Sequence, residues 1–245
     1  MIGIYFGRKH ILKTIIVLIF VGLFIRLGIW QINRLEWRQG INAELASQLA
    51  LPPFLLNEFD DHAQFPEMTD RKVVVQGQFD FDEQVVIRNR NDNVLGPGVH
   101  LLAPFVLDGG NQAVLVDRGW LSSAEHNAGD LSQYDAAVAE VAGVIQQSEN
   151  PARNATISAE PQSELFRIHI AQLQAQSDYE LLPIYILQTS DGTDLTARPY
   201  QAPHQVDLSE GSHLSYVVQW FSFALIFLIG YAAYIRRYGD DTENS

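Results

Sequence analysis

The chain has 245 residues, 16 Lys and Arg against 29 Asp and Glu for a net charge of −13, and no cysteine. The length suits one domain of ordinary size plus short accessory segments. The charge argues against nucleic acid as a partner, because phosphate binding needs clustered basic residues and these are scattered; the missing thiols exclude disulfides, thiolate metal sites, a thiol nucleophile and covalent haem attachment through Cys-x-x-Cys-His.

Thr14 to Ile32 is an apolar run carrying one charge, Arg26, and is long enough to cross a hydrocarbon core of roughly 30 Å. A basic n-region (Arg8, Lys9, Lys13) precedes it, as in a secretory signal, but the run continues into Trp30 with no small-residue cleavage site, so an uncleaved anchor is expected. Arg26 lies near the outer end, where its stem can carry the charge to the interface. Leu214 to Ile235 is a second apolar run with no charge at all and reads as a second membrane helix. Trp30, Trp37, Tyr216 and Trp220 at the inner ends of the two runs, and Tyr231, Tyr234 and Tyr238 at the far end of the second, suit interfacial aromatic belts.

Arg8, Lys9 and Lys13 before the first run, and Arg236 and Arg237 after the second, place both termini on the cytoplasmic side. A bacterial inner membrane with a periplasmic central domain is the expected setting, since an Arg- and Ser-rich mitochondrial presequence is not in evidence. The expected division is a cytoplasmic N-terminus over 1–13, transmembrane helices over 14–32 and 214–235, an extracytoplasmic domain over 33–213 and a cytoplasmic tail over 236–245.

Between the runs, Ile32, Leu35, Ile41, Leu45 and Leu49 continue a loose helical spacing that Pro52-Pro53 ends. Val73 and Val75 with Phe79 and Phe81, Val85 to Ile87, Pro104 to Leu107, Ala113 to Val116, Val138 to Ile145 and Leu182 to Gln188 read as strands. Arg88-Asn89-Arg90 and Asp117-Arg118-Gly119 are read as the ends of two of them. Asp108-Gly109-Gly110-Asn111 is a hairpin signal, and Ser158 to Gln176 has apolar residues at near-helical spacing. The expected fold class is an α+β membrane protein, two transmembrane helices flanking a mainly antiparallel β domain, extending to a small barrel.

No two of the seven histidines stand at i, i+3 or i, i+4, so a helical metal face is not expected. The sequence contains no nucleophile elbow, P-loop or dinucleotide fingerprint; Gly96-Pro97-Gly98 reads as a tight turn, and the acidic pairs Asp60-Asp61 and Asp82-Glu83 as solvated surface. No catalytic residue can be named, and an enzyme is not expected. His213, directly before the uncharged run, stands apart. A neutral imidazole there could ligate haem iron while the porphyrin lies in the apolar layer, with Val217, Trp220 and Ala224 on the same helical face. The other reading is an interfacial histidine that caps or wets the helix end, and spacing alone favours it.

Several blocks in order resemble the surfeit-locus (Surf/Shy) family of cytochrome c oxidase assembly proteins: Leu27-Gly28-Ile29-Trp30-Gln31-Ile32-Asn33-Arg34 with Glu36-Trp37-Arg38, Arg88-Asn89-Arg90, Gly96-Pro97-Gly98-Val99-His100 with Pro104, Val116-Asp117-Arg118-Gly119-Trp120, and His213-Leu214-Ser215-Tyr216 with Gln219-Trp220-Phe221. The resemblance implies an assembly factor for haem-copper oxidase that assists delivery or insertion of haem a into the catalytic subunit, held transiently. It makes His213 the metal-contacting residue and Tyr216, Gln219 and Trp220 its cofactor-binding neighbours. It implies as partners the lipid bilayer, the cytochrome c oxidase catalytic subunit and haem a synthesis enzymes. A structural membrane adaptor that docks a partner without a cofactor is the alternative. Arg34, Gly119 and Trp120 match motif positions for which a structural role is at least as strong: a turn at Gly119, core area at Trp120.

Overall fold

The computed structural model describes residues 10–92, 94–151, 160–190 and 193–238. The chain divides into a helical unit, formed by the residues up to Ser47 and from Asp207 on, and a β unit, Gln48–Val206. Arg8 and Lys9, which enter the orientation argument, lie outside the described residues, as do Ser158 and the side chain of Tyr238.

Helix α1, Ile11–Ala50, continues through the apolar run into the amphipathic stretch beyond it and stops two residues ahead of Pro52, whose ring forbids another turn. Its less exposed positions follow a heptad: Thr14, Val17, Val21, Phe24, Gly28, Gln31 and Leu35 alternate steps of three and four. The C-terminal helix, His213–Tyr238, shows the same seam through His213, Val217, Trp220, Ala224, Tyr231 and Ile235. The two seams meet antiparallel. Phe24 packs between Trp220, Phe223 and Phe227 at ring separations of 5.9, 5.8 and 5.2 Å. Gly28 allows the close approach, since a Cβ there would stand 2.8 Å from the Phe221 ring. Hydrogen bonds mark the two ends of the seam: Thr14 Oγ1 with Tyr231 Oη at 2.6 Å, and Gln31 Oε1 with His213 Nδ1 at 2.9 Å. Beyond it, Arg38 and Asn42 donate to the carbonyls of Ser209 and Leu208, at 3.2 and 2.6 Å, strapping the incoming segment onto α1.

The β unit is one eight-stranded sheet that closes on itself. Strands β1 (Phe54–Leu55), β2 (Lys72–Phe79), β3 (Val85–Asp92), β4 (Gly96–Leu107), β5 (Gln112–Ser122), β6 (Glu140–Gln147), β7 (Glu164–Leu165) and β8 (Glu180–Gln188) run in the order β1-β2-β6-β8-β5-β4-β3-β7. A further pairing of β2 with β4, Gly77 opposite Leu107, closes a barrel of β2, β6, β8, β5 and β4. Its lining is the period-2 apolar set the sequence advertises, Val73, Val75, Phe105, Val114, Val116, Val141, Ile145, Ile184 and Ile186, all buried. Helices α2 (Ser123–Asn127) and α3 (Ile170–Gln174) are single turns; the C-terminal helix is α4.

Three expectations need correction. Arg88-Asn89-Arg90 does not end a strand: β3 continues to Asp92 through a bulge in which Asn89 takes φ +59°, a conformation asparagine tolerates better than most residues. Asp117-Arg118-Gly119 likewise lies within β5, where Leu101 pairs with Gly119 and Leu102 with Asp117, so Arg118 is the inserted residue of a second bulge. Of the described part of the stretch expected to be helical, residues 160–176, only Ile170–Gln174 is; Leu165 pairs with Ile87 in a parallel bridge and Ile168 fills the core from irregular backbone, so tertiary burial supersedes the local spacing. The hairpin at Asp108–Asn111 joins β4 to β5 as expected. Gly96-Pro97-Gly98 opens β4 after a turn in which the Asp92 carboxylate accepts from the backbone of Val94 and Leu95 at 2.8 and 2.7 Å.

Candidate functional site

Among the described residues, no three His, Asp or Glu side chains come together in a way that could hold a metal ion. A bare ion asks the protein for several ligands, whereas a porphyrin brings its own equatorial nitrogens and asks only for an axial ligand. A lone histidine therefore fits a haem and does not fit a free ion.

His213 is the first residue of α4 and faces α1. Gln31, 8% exposed, sits opposite with its side-chain carbonyl on Nδ1. A carbonyl oxygen only accepts, so Nδ1 is the donor in this contact, and Nε2 is the edge that a neutral imidazole would present to a metal. Gly211, at φ +69° in the turn before α4, lies beside that edge: a Cβ there would stand 3.9 Å from Nε2, in ordinary van der Waals contact.

The other residues expected at the site divide. Trp220 shares the His213 face, but that face is the seam: Trp220 stacks on Phe24 and Ala224 is buried, so the surface expected to receive a flat ligand is already covered by α1. Tyr216 and Gln219 are exposed, turned about 60° and 120° around the helix from His213. Arg26 is exposed about 140° around α1 from Gln31, on the far side from the seam, together with Trp30 and Asn33. Arg34 stacks on Trp37, 3.9 Å from guanidinium to ring centre, one turn along its own helix. Gln31 belongs to the motif quoted above, yet its partner was not foreseen; the available signal was an amide at the end of an apolar run, where an unpaired polar group is costly.

In the β unit, the Arg118 bulge aims its guanidinium inward. It donates to Asp135 at 2.9 Å, to Gln84 and to the Tyr134 carbonyl, and lies over the rings of Phe81 and Phe79 at 4.5 and 5.2 Å. Burial pulls its pKa down, and Asp135 opposes that pull. Beside it, the Asp117 carboxylate holds His100 Nδ1 at 2.7 Å and the Gly119 amide at 3.1 Å. Burial first, and this carboxylate second, hold the Tyr185 phenol above its ordinary range. Gly119, at φ +122°, lets the Tyr200 carbonyl approach where a Cβ would collide, and Trp120 and Tyr200 exchange backbone hydrogen bonds of 2.8 and 2.7 Å. A groove of about 280 Å³ runs past Arg118 and Arg198, but Asp135 and Glu125 already hold these cations at 2.9 and 2.8 Å, which leaves little charge for an anionic ligand.

The sequence profile of the SURF1 family matches residues 18–225. The chain is 29% identical over 117 residues to the cytochrome oxidase assembly protein SHY1 of Saccharomyces cerevisiae, a match that covers 48% of this chain and 29% of the yeast protein. A SURF1-like protein of Rickettsia conorii is 24% identical over 220 residues, 88% of each chain, and one of Drosophila melanogaster is 28% identical over 215 residues, 81% of this chain and 69% of the fly protein.

Proposed function

The chain belongs to the SURF1 family, and on that footing we propose that it is a membrane-anchored assembly factor for cytochrome oxidase that takes haem a transiently on His213 and helps pass it to the catalytic subunit. The observation that carries this reading is the Gln31 side-chain carbonyl on His213 Nδ1, which leaves the Nε2 edge beside Gly211 at the end of an apolar helix. His213 would hold haem a through its imidazole, Tyr216 and Gln219, exposed on the adjoining face, would be the side chains available to line it, and the haem would supply the redox-active iron. Trp220 contributes indirectly by packing on Phe24 and so holding α4 to α1. The yeast relative's name supports the assembly role.

The membrane reading rests on the helices. Both are long and apolar enough to cross a bilayer, and Leu12, Ile19, Val218 and Ile226 are each more than 60% exposed, as in a lipid-facing helix and unlike one buried in a soluble core. Lys13, Arg236 and Arg237 at one end of the pair support cytoplasmic termini in a bacterial inner membrane with the β unit outside. Because the chain has no cysteine, a Ser132→Cys protein carries a single thiol on the β unit: a membrane-impermeant maleimide added to spheroplasts is expected to label it, and protection until lysis would invert the orientation.

The test of the haem reading is the visible absorption spectrum of the detergent-purified protein, wild type and His213→Ala, after co-production with haem a synthesis enzymes. A haem band in the first that is lost or shifted in the second is expected. A colourless wild type would overturn haem binding and favour the adaptor role, in which protein contacts alone serve the oxidase.

A further inference from the structure

We propose that Gln31 is the positioning residue of His213: its side-chain carbonyl fixes the imidazole in the Nδ1–H tautomer and thereby presents Nε2, across the helix pair, as a ligating nitrogen. The tautomer is a property of the protein by itself; its consequence for haem rests on the reading above.

The argument starts from where an amide can stand. Gln31 occupies a seam position of α1 in register with Thr14, Val21 and Gly28, so its side chain is directed at α4 and 8% exposed. An amide in such surroundings loses free energy unless it finds a partner, and the 2.9 Å contact to His213 Nδ1 supplies one. The pair is 182 residues apart in the chain, so only the antiparallel seam brings it together. Metal-ligating histidines characteristically donate the non-ligating N–H to a carbonyl or carboxylate, which sets ring orientation and tautomer. Gln31 has that relation to His213 before any ligand is present. Among the described residues no hydrogen bond holds the other edge, which lies beside Gly211. One nitrogen of the ring is engaged and the other is left open.

The experiment is ¹⁵N NMR of histidine-labelled, full-length, haem-free protein in detergent, with the His213 resonances identified by their loss in His213→Ala. Wild type is expected to show a protonated Nδ1 and an unprotonated Nε2. In Gln31→Leu the resonances are expected to move toward the opposite tautomer. Tyr231→Phe, which loosens the same helix pair at its other end by removing a hydrogen bond to Thr14, is expected to leave the tautomer unchanged. A wild-type His213 protonated on Nε2, a Gln31→Leu protein with unaltered shifts, or an equal change in Tyr231→Phe would overturn the proposal. In a parallel titration with haem a, Gln31→Leu is expected to weaken binding roughly tenfold, the size of effect seen when the hydrogen-bond partner of a ligating histidine is removed. If the tautomer responds as expected but wild type takes up no haem, the positioning role stands and the haem reading falls.

Discussion

In the helix pair, the polar contacts of the seam stand at its two ends, Thr14 with Tyr231 and Gln31 with His213, and the space between is filled by Val21, Phe24, Gly28, Trp220 and Ala224. In the β unit a full cation, Arg118, is drawn into the wall beside the barrel and answered by a carboxylate, an amide, a backbone carbonyl and two aromatic faces. The difference follows from what each unit lacks. On the membrane reading proposed above, two apolar helices in an apolar layer have no hydrophobic drive toward each other, so shape and a few hydrogen bonds choose their register. A barrel already has that drive from its lining, and a charge drawn into its wall is tolerated when an opposite charge and further hydrogen-bond acceptors answer it.

The sharpest way to break the comparison is Arg118→Ala. It leaves Asp135, Gln84 and the Tyr134 carbonyl facing a void, and removing one side of a buried ion pair costs about 3–5 kcal/mol. Thermal unfolding of the full chain in detergent, followed by near-ultraviolet circular dichroism, is expected to show a loss of that order. A loss below 1 kcal/mol would mean that water replaces the guanidinium and that the wall is not dry there.

Next in size is Gly28→Leu. The added Cβ alone would stand 2.8 Å from the Phe221 ring, closer than van der Waals contact, and overpacking of this kind costs about 1–3 kcal/mol. Gly22, on the same helix, has open space where its Cβ would be, so Gly22→Leu serves as the control and is expected to be neutral or mildly stabilising through helix propensity. Equal effects at the two glycines would show that the seam assigned here is wrong. A smaller effect probes the bond at the end of the seam away from His213: a double-mutant cycle of Thr14→Val and Tyr231→Phe is expected to give a coupling of roughly 0.6–1.7 kcal/mol, the range for hydrogen bonds between membrane helices.

These contrasts also explain what could be read in advance. The barrel strands announce themselves in two ways: β2 turns Val73 and Val75 inward with Lys72 and Gln76 exposed, whereas β5, buried on both faces, reads as the continuous apolar run Ala113 to Val116. The helices were visible as apolar runs, but their seam was not: exposed Leu18 and Ile19 are as apolar as seam-facing Val17 and Val21, so periodicity carries no contrast. For the same reason Trp220 and Ala224 could be grouped with His213 on one face, while the fact that α1 covers that face could not be foreseen. The two bulges were misread as strand ends because charged residues in a strand pattern ordinarily mark its exit; only the pairing register shows Arg118 to be an insertion turned inward. His213 stood out by its position before an uncharged helix, whereas Gln31 needed the fold to bring it there.

The smallest expected effect lies at the edge of the β unit, where polar groups are half wet and the comparison should soften. Ser122 caps α2 by accepting from the Glu125 amide at 3.1 Å, and Glu125 returns a bond from the Ser122 amide at 2.8 Å while its other oxygen accepts from Arg198 at 2.8 Å. Partial burial pushes the Glu125 carboxyl up, but the bonds from Ser122 and Arg198 together outweigh it, and the net displacement is below the ordinary glutamate value. A carboxyl held lower in the folded chain than in the unfolded one stabilises fully above its unfolded pKa, and that contribution disappears as pH falls through the folded value. Glu125→Gln is therefore expected to cost roughly 0.5 kcal/mol at pH 7, the scale of a partly exposed ion pair, and the gap from wild type should narrow as pH falls below about 4. A gap that stayed constant from pH 7 to pH 3 would assign the loss to the cap geometry alone, whereas one that rivalled Arg118→Ala would mean that Arg198, lying over Trp120 at 5.7 Å next to the Tyr200 bridge, depends on Glu125 to hold the wall together.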